Sequence, residues 1–186
     1  MIMIRLVVLL GNKGSLYSKT RHNSGWMVGD LLVSGQWQTK FNGQWGKFPV
    51  GNGVYYFLKP MTYMNVSGHS LSQMASYFDI KADEILVVHD DLELPFLSAK
   101  LQQGGGLAGH NGLKSIVQHL KSDQFFRLRI GIGRPKHGSV SSFVLSKFTP
   151  DEQISIGPFF NKIKDQLTRW LNSNQSVSSL PLEIKG

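Results

Sequence analysis

Residues 4–10 are apolar at every position except Arg5, and the segments 54–58 and 85–88 repeat that run. An apolar run without alternation marks a strand covered on both faces. Residues 126–130, Phe-Arg-Leu-Arg-Ile, alternate instead, so one face of that strand carries arginines and is expected to meet solvent or a ligand. Between the runs the period changes: Leu71, Met74, Ala75 and Phe78 fall at i, i+3, i+4 and i+7, as do Leu113, Ile116, Val117 and Leu120. Each set forms one face of an amphipathic helix. Asn23 is a candidate cap for a helix carrying Trp26, Met27 and Leu31. Thr149-Pro150-Asp151-Glu152 reads as a capping box opening a last helix toward Trp170, with a break expected at Gly157-Pro158.

Strands alternating with helices predict an α/β fold with a mostly parallel sheet. Residues 36–53, rich in Gly, Gln and Trp, look like short antiparallel pieces and make the expected sheet mixed. Residues 173–186 show no periodicity and are expected to form a weakly ordered tail. At 186 residues and 41% hydrophobic content, the chain fits a single domain with its own core.

The N-terminal apolar run is too short for a membrane span and too early for a signal peptide, so a soluble cytoplasmic protein is expected. With no cysteine, disulfides, thiolate metal sites and a cysteine nucleophile are excluded. A net charge of +8, from 20 Lys plus Arg against 12 Asp plus Glu, favours polyanionic partners, although a generically basic surface gives the same number.

In an open α/β sheet the loops after the strands converge on one crevice, where ligands bind. Asn12, Asn65, Asp90 and Asn111 stand in loops beside apolar runs, with His22 close behind the first. An imidazole titrates near neutral pH, and a carboxylate on one ring nitrogen would fix its tautomer. Neutral amides suit a peptide-like ligand better than a phosphate. Each residue also has a plainer reading. His22 and Asn111 fit helix starts, and His89, Asp90, Asp91 and Glu93 fit a solvated loop or a hard-cation site. The glycine-rich loop before Asn111 contains neither a dinucleotide fingerprint nor a P-loop, and no GxSxG elbow supports a serine nucleophile.

Taken together, Gly11-Asn12-Lys13-Gly14, Tyr17, Thr20-Arg21-His22-Asn23-Ser24-Gly25, Tyr63-Met64-Asn65-Val66-Ser67-Gly68, His89-Asp90-Asp91-Leu92-Glu93-Leu94-Pro95, Gly109-His110-Asn111-Gly112-Leu113-Lys114 and Arg127-Leu128-Arg129-Ile130-Gly131-Ile132-Gly133 resemble bacterial-type peptidyl-tRNA hydrolase, in that family's order, over about residues 4–150. The resemblance implies a single-domain α/β protein with a twisted mixed sheet that hydrolyses the ester between a peptide and the 3′ ribose of tRNA. It implies no metal and no organic cofactor. By the same resemblance His22 is the catalytic base and Asp90 its orienting partner. Asn12, Asn65 and Asn111 hold the peptide and the attacking water, while Tyr17, Tyr63 and His110 line the site.

The implied partner is peptidyl-tRNA, held at its 3′ CCA end and acceptor-stem phosphates, with Arg129 on a phosphate. No obligate protein partner and no membrane are implied, and a monomer is expected. The chain departs from the family pattern at Gln102, basic in some members, at Lys13, usually proline, and at Leu107-Ala108. Lys100 and Arg127 are the candidates to replace the charge missing at Gln102. A catalytically silent RNA-binding protein and a nucleoside-processing enzyme are the competing readings.

Overall fold

The computed structural model describes residues 3–173 and 183–186. The alternation of strands and helices read from the sequence holds. In chain order the elements are β1 (Leu6–Leu9), α1 (Ser24–Leu32), β2 (Gln38–Lys40), β3 (Gly43–Val50), β4 (Gly53–Pro60), α2 (Ser67–Tyr77), β5 (Ile85–Asp91), β6 (Ser98–Gln103), α3 (Asn111–Leu120), β7 (Phe126–Gly131), α4 (Val140–Val144), α5 (Pro150–Asn172) and β8 (Glu183–Lys185). The strands form one mixed sheet in the order β2-β3-β4-β1-β5-β7-β6-β8.

The four central strands, β4, β1, β5 and β7, run parallel. β2, β3, β6 and β8 extend the sheet by antiparallel pairing. The sheet is therefore mixed, but the expected parallel majority is corrected, because both flanks are built from strands that add antiparallel. β3 and β4 are joined directly by a two-residue turn, and a direct turn can connect only antiparallel strands.

Burial explains the uninterrupted apolar strands. Val7 and Leu9 face a core shared with α1 and α5 through Val28, Phe159, Ile163 and Leu167. Leu6, Val8 and Leu10 face a second core with α2 and α3 through Leu71, Met74, Leu113 and Ile116. β1 is thus covered on both faces, as its composition requires. The first turn of α1 lies directly on the strands. A Cβ at Gly25 would stand 2.4 Å from the carbonyl oxygen of Val88 and 2.7 Å from that of Leu10. Any larger residue there would lift the start of α1, and with it His22, off the sheet.

Two expectations about the C-terminal part are corrected. α5 continues through Gly157-Pro158 without a break. Pro158 lies on the exposed side of the helix, where water can take the place of the backbone bond that proline cannot make. Residues 183–185, read as part of a loose tail, form β8 against the open edge of β6 and bury Ile184. A sheet edge offers unpaired backbone groups that can order even a segment without sequence periodicity. The expectation for residues 174–182 lies outside the described residues. No helix among the described residues is long and apolar enough to cross a membrane.

Candidate active site

The chain leaves the C-terminal ends of β1, β4, β5 and β7 at one end of the sheet, and the loops there surround a cavity of about 760 Å³. Asn12 follows β1, Tyr63, Met64 and Asn65 follow β4, Asp90, Asp91 and Leu92 close β5, and Arg134 follows β7. His22 enters from the 3₁₀ turn Arg21–Asn23 ahead of α1, and His110 and Asn111 from the start of α3. Val140, Ser141, Val144 and Leu145, on and just after α4, form one wall.

Asp90 organises the floor. His22 Nδ1 lies 2.8 Å from Asp90 Oδ1 and 3.0 Å from Oδ2, and His110 Nε2 lies 3.1 Å from the same Oδ1. The two imidazole rings are 5.0 Å apart. Hydrogen-bond accounting assigns the protons. His110 Nδ1 caps α3 by accepting from the backbone N–H groups of Gly112 and Leu113, so its proton resides on Nε2 and is donated to Asp90. Opposite a carboxylate, His22 Nδ1 likewise carries a proton. Its Nε2 therefore keeps its lone pair when the ring is neutral.

The electrostatics follow from this contact. Burial disfavours a charged His22, but the charge of Asp90 and its hydrogen bond outweigh burial and raise the imidazole pKa above its ordinary 6.5. Burial would likewise raise the Asp90 pKa, yet the two histidines overcome it and hold the carboxyl far below the usual carboxylate range. His89, wholly buried beneath the site, donates from Nδ1 to the backbone oxygen of Asp90 at 2.7 Å. Desolvation first, and then the proximity of His110, lower its pKa to about 3 and keep it neutral.

His22, Asp90 and His110 bring three potential ligand atoms within 4.8 Å of one another. Their proton pattern does not suit a cation. Both ring nitrogens that face Asp90 carry hydrogens, and a metal on His110 Nε2 would leave that ring with two acceptor nitrogens and no proton.

Three amides border the cavity in different settings. Asn12 is buried, and its Oδ1 accepts from the backbone N–H of Met64 at 3.0 Å, which joins the loop after β1 to the loop after β4. Its Nδ2 makes no hydrogen bond with a described residue. Asn65 and Asn111 are exposed at the mouth, beside Tyr63, whose ring lies 5.8 Å from Lys13 Nζ. The cavity thus gathers His22, Asp90, Asn12, Tyr63, Asn65, His110 and Asn111. Tyr17 and Arg129 are not part of its lining.

Two contributions were missed or misread in the sequence. Asn23, read as a cap for α1, makes no side-chain cap bond there and instead grips the main chain of Asn12 through both its amide atoms. Adjacent asparagine and histidine at a helix start carried no signal to separate a cap from a clamp. Arg127, a candidate for the charge missing at Gln102, is 1% exposed and turned inward, binding the backbone oxygens of Gly104 and Gly106. It tethers the glycine-rich loop that leads to His110.

Arg129 donates from Nε to Asp91 at 2.8 Å and from Nη1 to Gln102 at 2.8 Å. Lys100 stands directly opposite Arg129 in the β6–β7 register and so shares its face of the sheet.

A family model described as Peptidyl-tRNA hydrolase matches residues 6–181. A protein of Geotalea uraniireducens named peptidyl-tRNA hydrolase is 44% identical over 168 residues, covering 88% of this chain and 88% of that protein. A protein of Sulfurimonas denitrificans with the same name is 42% identical over 190 residues, covering 96% of this chain and all of that one. The crystal structure of peptidyl-tRNA hydrolase from Acinetobacter baumannii superposes with a TM-score of 0.81 at 36% identity, over 92% of this chain and 89% of that one.

Proposed function

The chain belongs to the peptidyl-tRNA hydrolase family, and we propose that it releases peptide from peptidyl-tRNA by attack of a His22-activated water on the ester to the 3′ ribose. The observation that carries this reading is the His22–Asp90 contact at 2.8 Å, with His22 Nε2 left as the unprotonated nitrogen. Water attacks the ester carbonyl while Nε2 takes its proton, and Asp90 stabilises the imidazolium that forms. The resulting oxyanion is met by amide N–H donors at the cavity, for which Asn12 Nδ2, without a hydrogen bond among the described residues, is the candidate. Collapse of the intermediate breaks the bond to the ribose 3′ oxygen, which recovers the proton from His22.

A positioned base contributes on the order of 10² to 10⁴ in rate. Discrimination rests on the amides: Asn12 and Asn65 read the first peptide bond, which an aminoacyl-tRNA with a free α-amino group lacks. Left unpaired by the wrong substrate, the amide of the buried Asn12 penalises it, whereas the exposed Asn65 keeps water as a partner and adds less. Asn111 helps to hold the water and peptide, and Tyr63 and His110 line the site. On the tRNA side, Arg129 and Lys100 meet acceptor-stem phosphates. Tyr17, outside the cavity lining, contributes from the loop between Asn12 and His22 and not as a floor residue. The monomeric enzyme works in the cytoplasm without a cofactor and returns tRNA from stalled translation.

The class of reaction is tested by offering N-acetyl-aminoacyl-tRNA, aminoacyl-tRNA and a nucleoside to the purified protein. Rapid cleavage of the first alone supports the reading. Equal cleavage of the first two removes the amide-reading role, and cleavage of the nucleoside alone replaces the reaction.

A further inference from the structure

We propose that Arg21 is a positioning residue that docks the apolar wall of the cavity onto the segment carrying His22. The inference rests on the reading above in one respect, that the peptide occupies this cavity. Arg21 immediately precedes His22 and is 4% exposed. Its guanidinium donates to Ser146 Oγ at 2.8 Å, to the backbone oxygen of Lys147 and to Glu152 Oε2 at 2.5 Å. Its Cζ also stands 4.4 Å from the ring centre of Phe143 and 5.1 Å from that of Phe148. The backbone joins in: Arg21 N donates to Ser146 O at 3.0 Å, and Thr20 pairs with Lys147 in an isolated antiparallel bridge.

One buried cation thus connects the residue before the candidate base, the end of α4 and the N-terminal cap of α5, where Glu152 also accepts from Thr149 N at 2.7 Å. A buried ion pair adds little net stability but fixes geometry, which is the use made of it here. α4 has only five residues, and a helix that short does not hold itself in place. Phe143 faces Arg21, while Val140, Val144 and Leu145 of the same segment line the cavity. Loss of the Arg21 contacts therefore frees the wall without touching the His22–Asp90 bond. Peptide binding weakens more than the chemical step, and a bulky apolar C-terminal residue suffers more than glycine.

The test combines hydrogen exchange over residues 139–148 with steady-state kinetics on N-acetyl-phenylalanyl-tRNA and N-acetyl-glycyl-tRNA, for the wild type, Arg21→Lys and Glu152→Gln. Lysine keeps the charge but cannot reach all three acceptors, and glutamine keeps the α5 cap while removing the ion pair. The expected result is faster exchange confined to residues 139–148. KM for the phenylalanyl substrate rises about tenfold in Arg21→Lys and about threefold in Glu152→Gln, with kcat within about threefold and a smaller change for the glycyl substrate. Unchanged exchange and KM, or a fall in kcat at constant KM, overturns the proposal. If Arg21→Lys does not fold, Glu152→Gln and Phe143→Leu decide it on the same criteria. A wild type that cleaves neither substrate overturns the proposed function instead, and the exchange measurement still decides the docking role of Arg21.

Discussion

The side-chain amide of Asn23 closes on the main chain of Asn12: Oδ1 accepts from Asn12 N at 2.8 Å, and Nδ2 donates to Asn12 O at 3.0 Å. Asn23 is wholly buried, so neither bond competes with bulk water. The clamp fixes the backbone from which the Asn12 amide reaches Met64 N and the cavity.

Asn23→Asp removes the donor half of this clamp and places a carboxylate oxygen against the carbonyl of Asn12. Leaving a buried group unpaired costs about 1–3 kcal/mol, and the same displacement at Asn12 is expected to lower kcat/KM on N-acetyl-aminoacyl-tRNA roughly tenfold or more. Chemical denaturation and kinetics on the same preparation check both effects. An Asn23→Asp protein with wild-type kcat/KM contradicts a positioning role.

That clamp also shows what was legible in the sequence and what was not. Asn12, Asn65, Asp90 and Asn111 stand in loops beside apolar runs, with His22 close behind the first, and all five line one cavity, although His22 reaches it from the turn before α1 and Asn111 from the start of α3 rather than from a strand end. The role of Asn23 was not legible, because its local sequence fits a helix cap equally well and only the return of β1 beside α1 decides. The same holds at α3, where His110 and not Asn111 is the capping side chain. Alternation in β7 placed Arg127 and Arg129 on one face, as found, but not the loop that covers Arg127. β8 escaped because its order comes from the edge of β6 and not from its own pattern.

His89 sets a pH dependence of stability. Its folded pKa of about 3 lies below the ordinary 6.5, so between those values the unfolded chain binds a proton that the folded chain refuses. Stability contributed by neutral His89 is complete above pH 6.5 and is lost as the pH falls toward 3. Asp90, whose pKa is depressed, contributes stability that is lost only below its ordinary 3.8. His22, whose pKa is raised, contributes stability that is present below 6.5 and lost as the pH rises through its folded pKa. The interval from about pH 4 to 6 therefore isolates His89. His89→Gln is expected to flatten the fall of Tm in that interval, and an equally steep fall contradicts the assignment.

The tRNA grip is tested by salt. Each phosphate contact on a duplex adds about 0.9 to the slope of log K against log salt. Lys100, loosely paired with Glu183 at 4.0 Å, is expected to lose close to that amount on substitution by alanine. Arg129→Ala is expected to lose less, because Asp91 already offsets its charge at 2.8 Å. An unchanged slope in Arg129→Ala removes that residue from the RNA footprint.

Proton transfer from water to neutral His22, oriented by Asp90, is the step proposed for this site. The pH profile of single-turnover cleavage of N-acetyl-aminoacyl-tRNA by the wild type, His22→Ala and Asp90→Asn reads that step. The wild-type rate is expected to fall on acidification through an apparent pKa above 6.5, since Asp90 raises that of His22. His22→Ala is expected to lose about 10² to 10⁴ in rate together with that limb, and Asp90→Asn to shift the limb to lower pH. A His22→Ala protein that keeps both the wild-type rate and its acid limb contradicts the account.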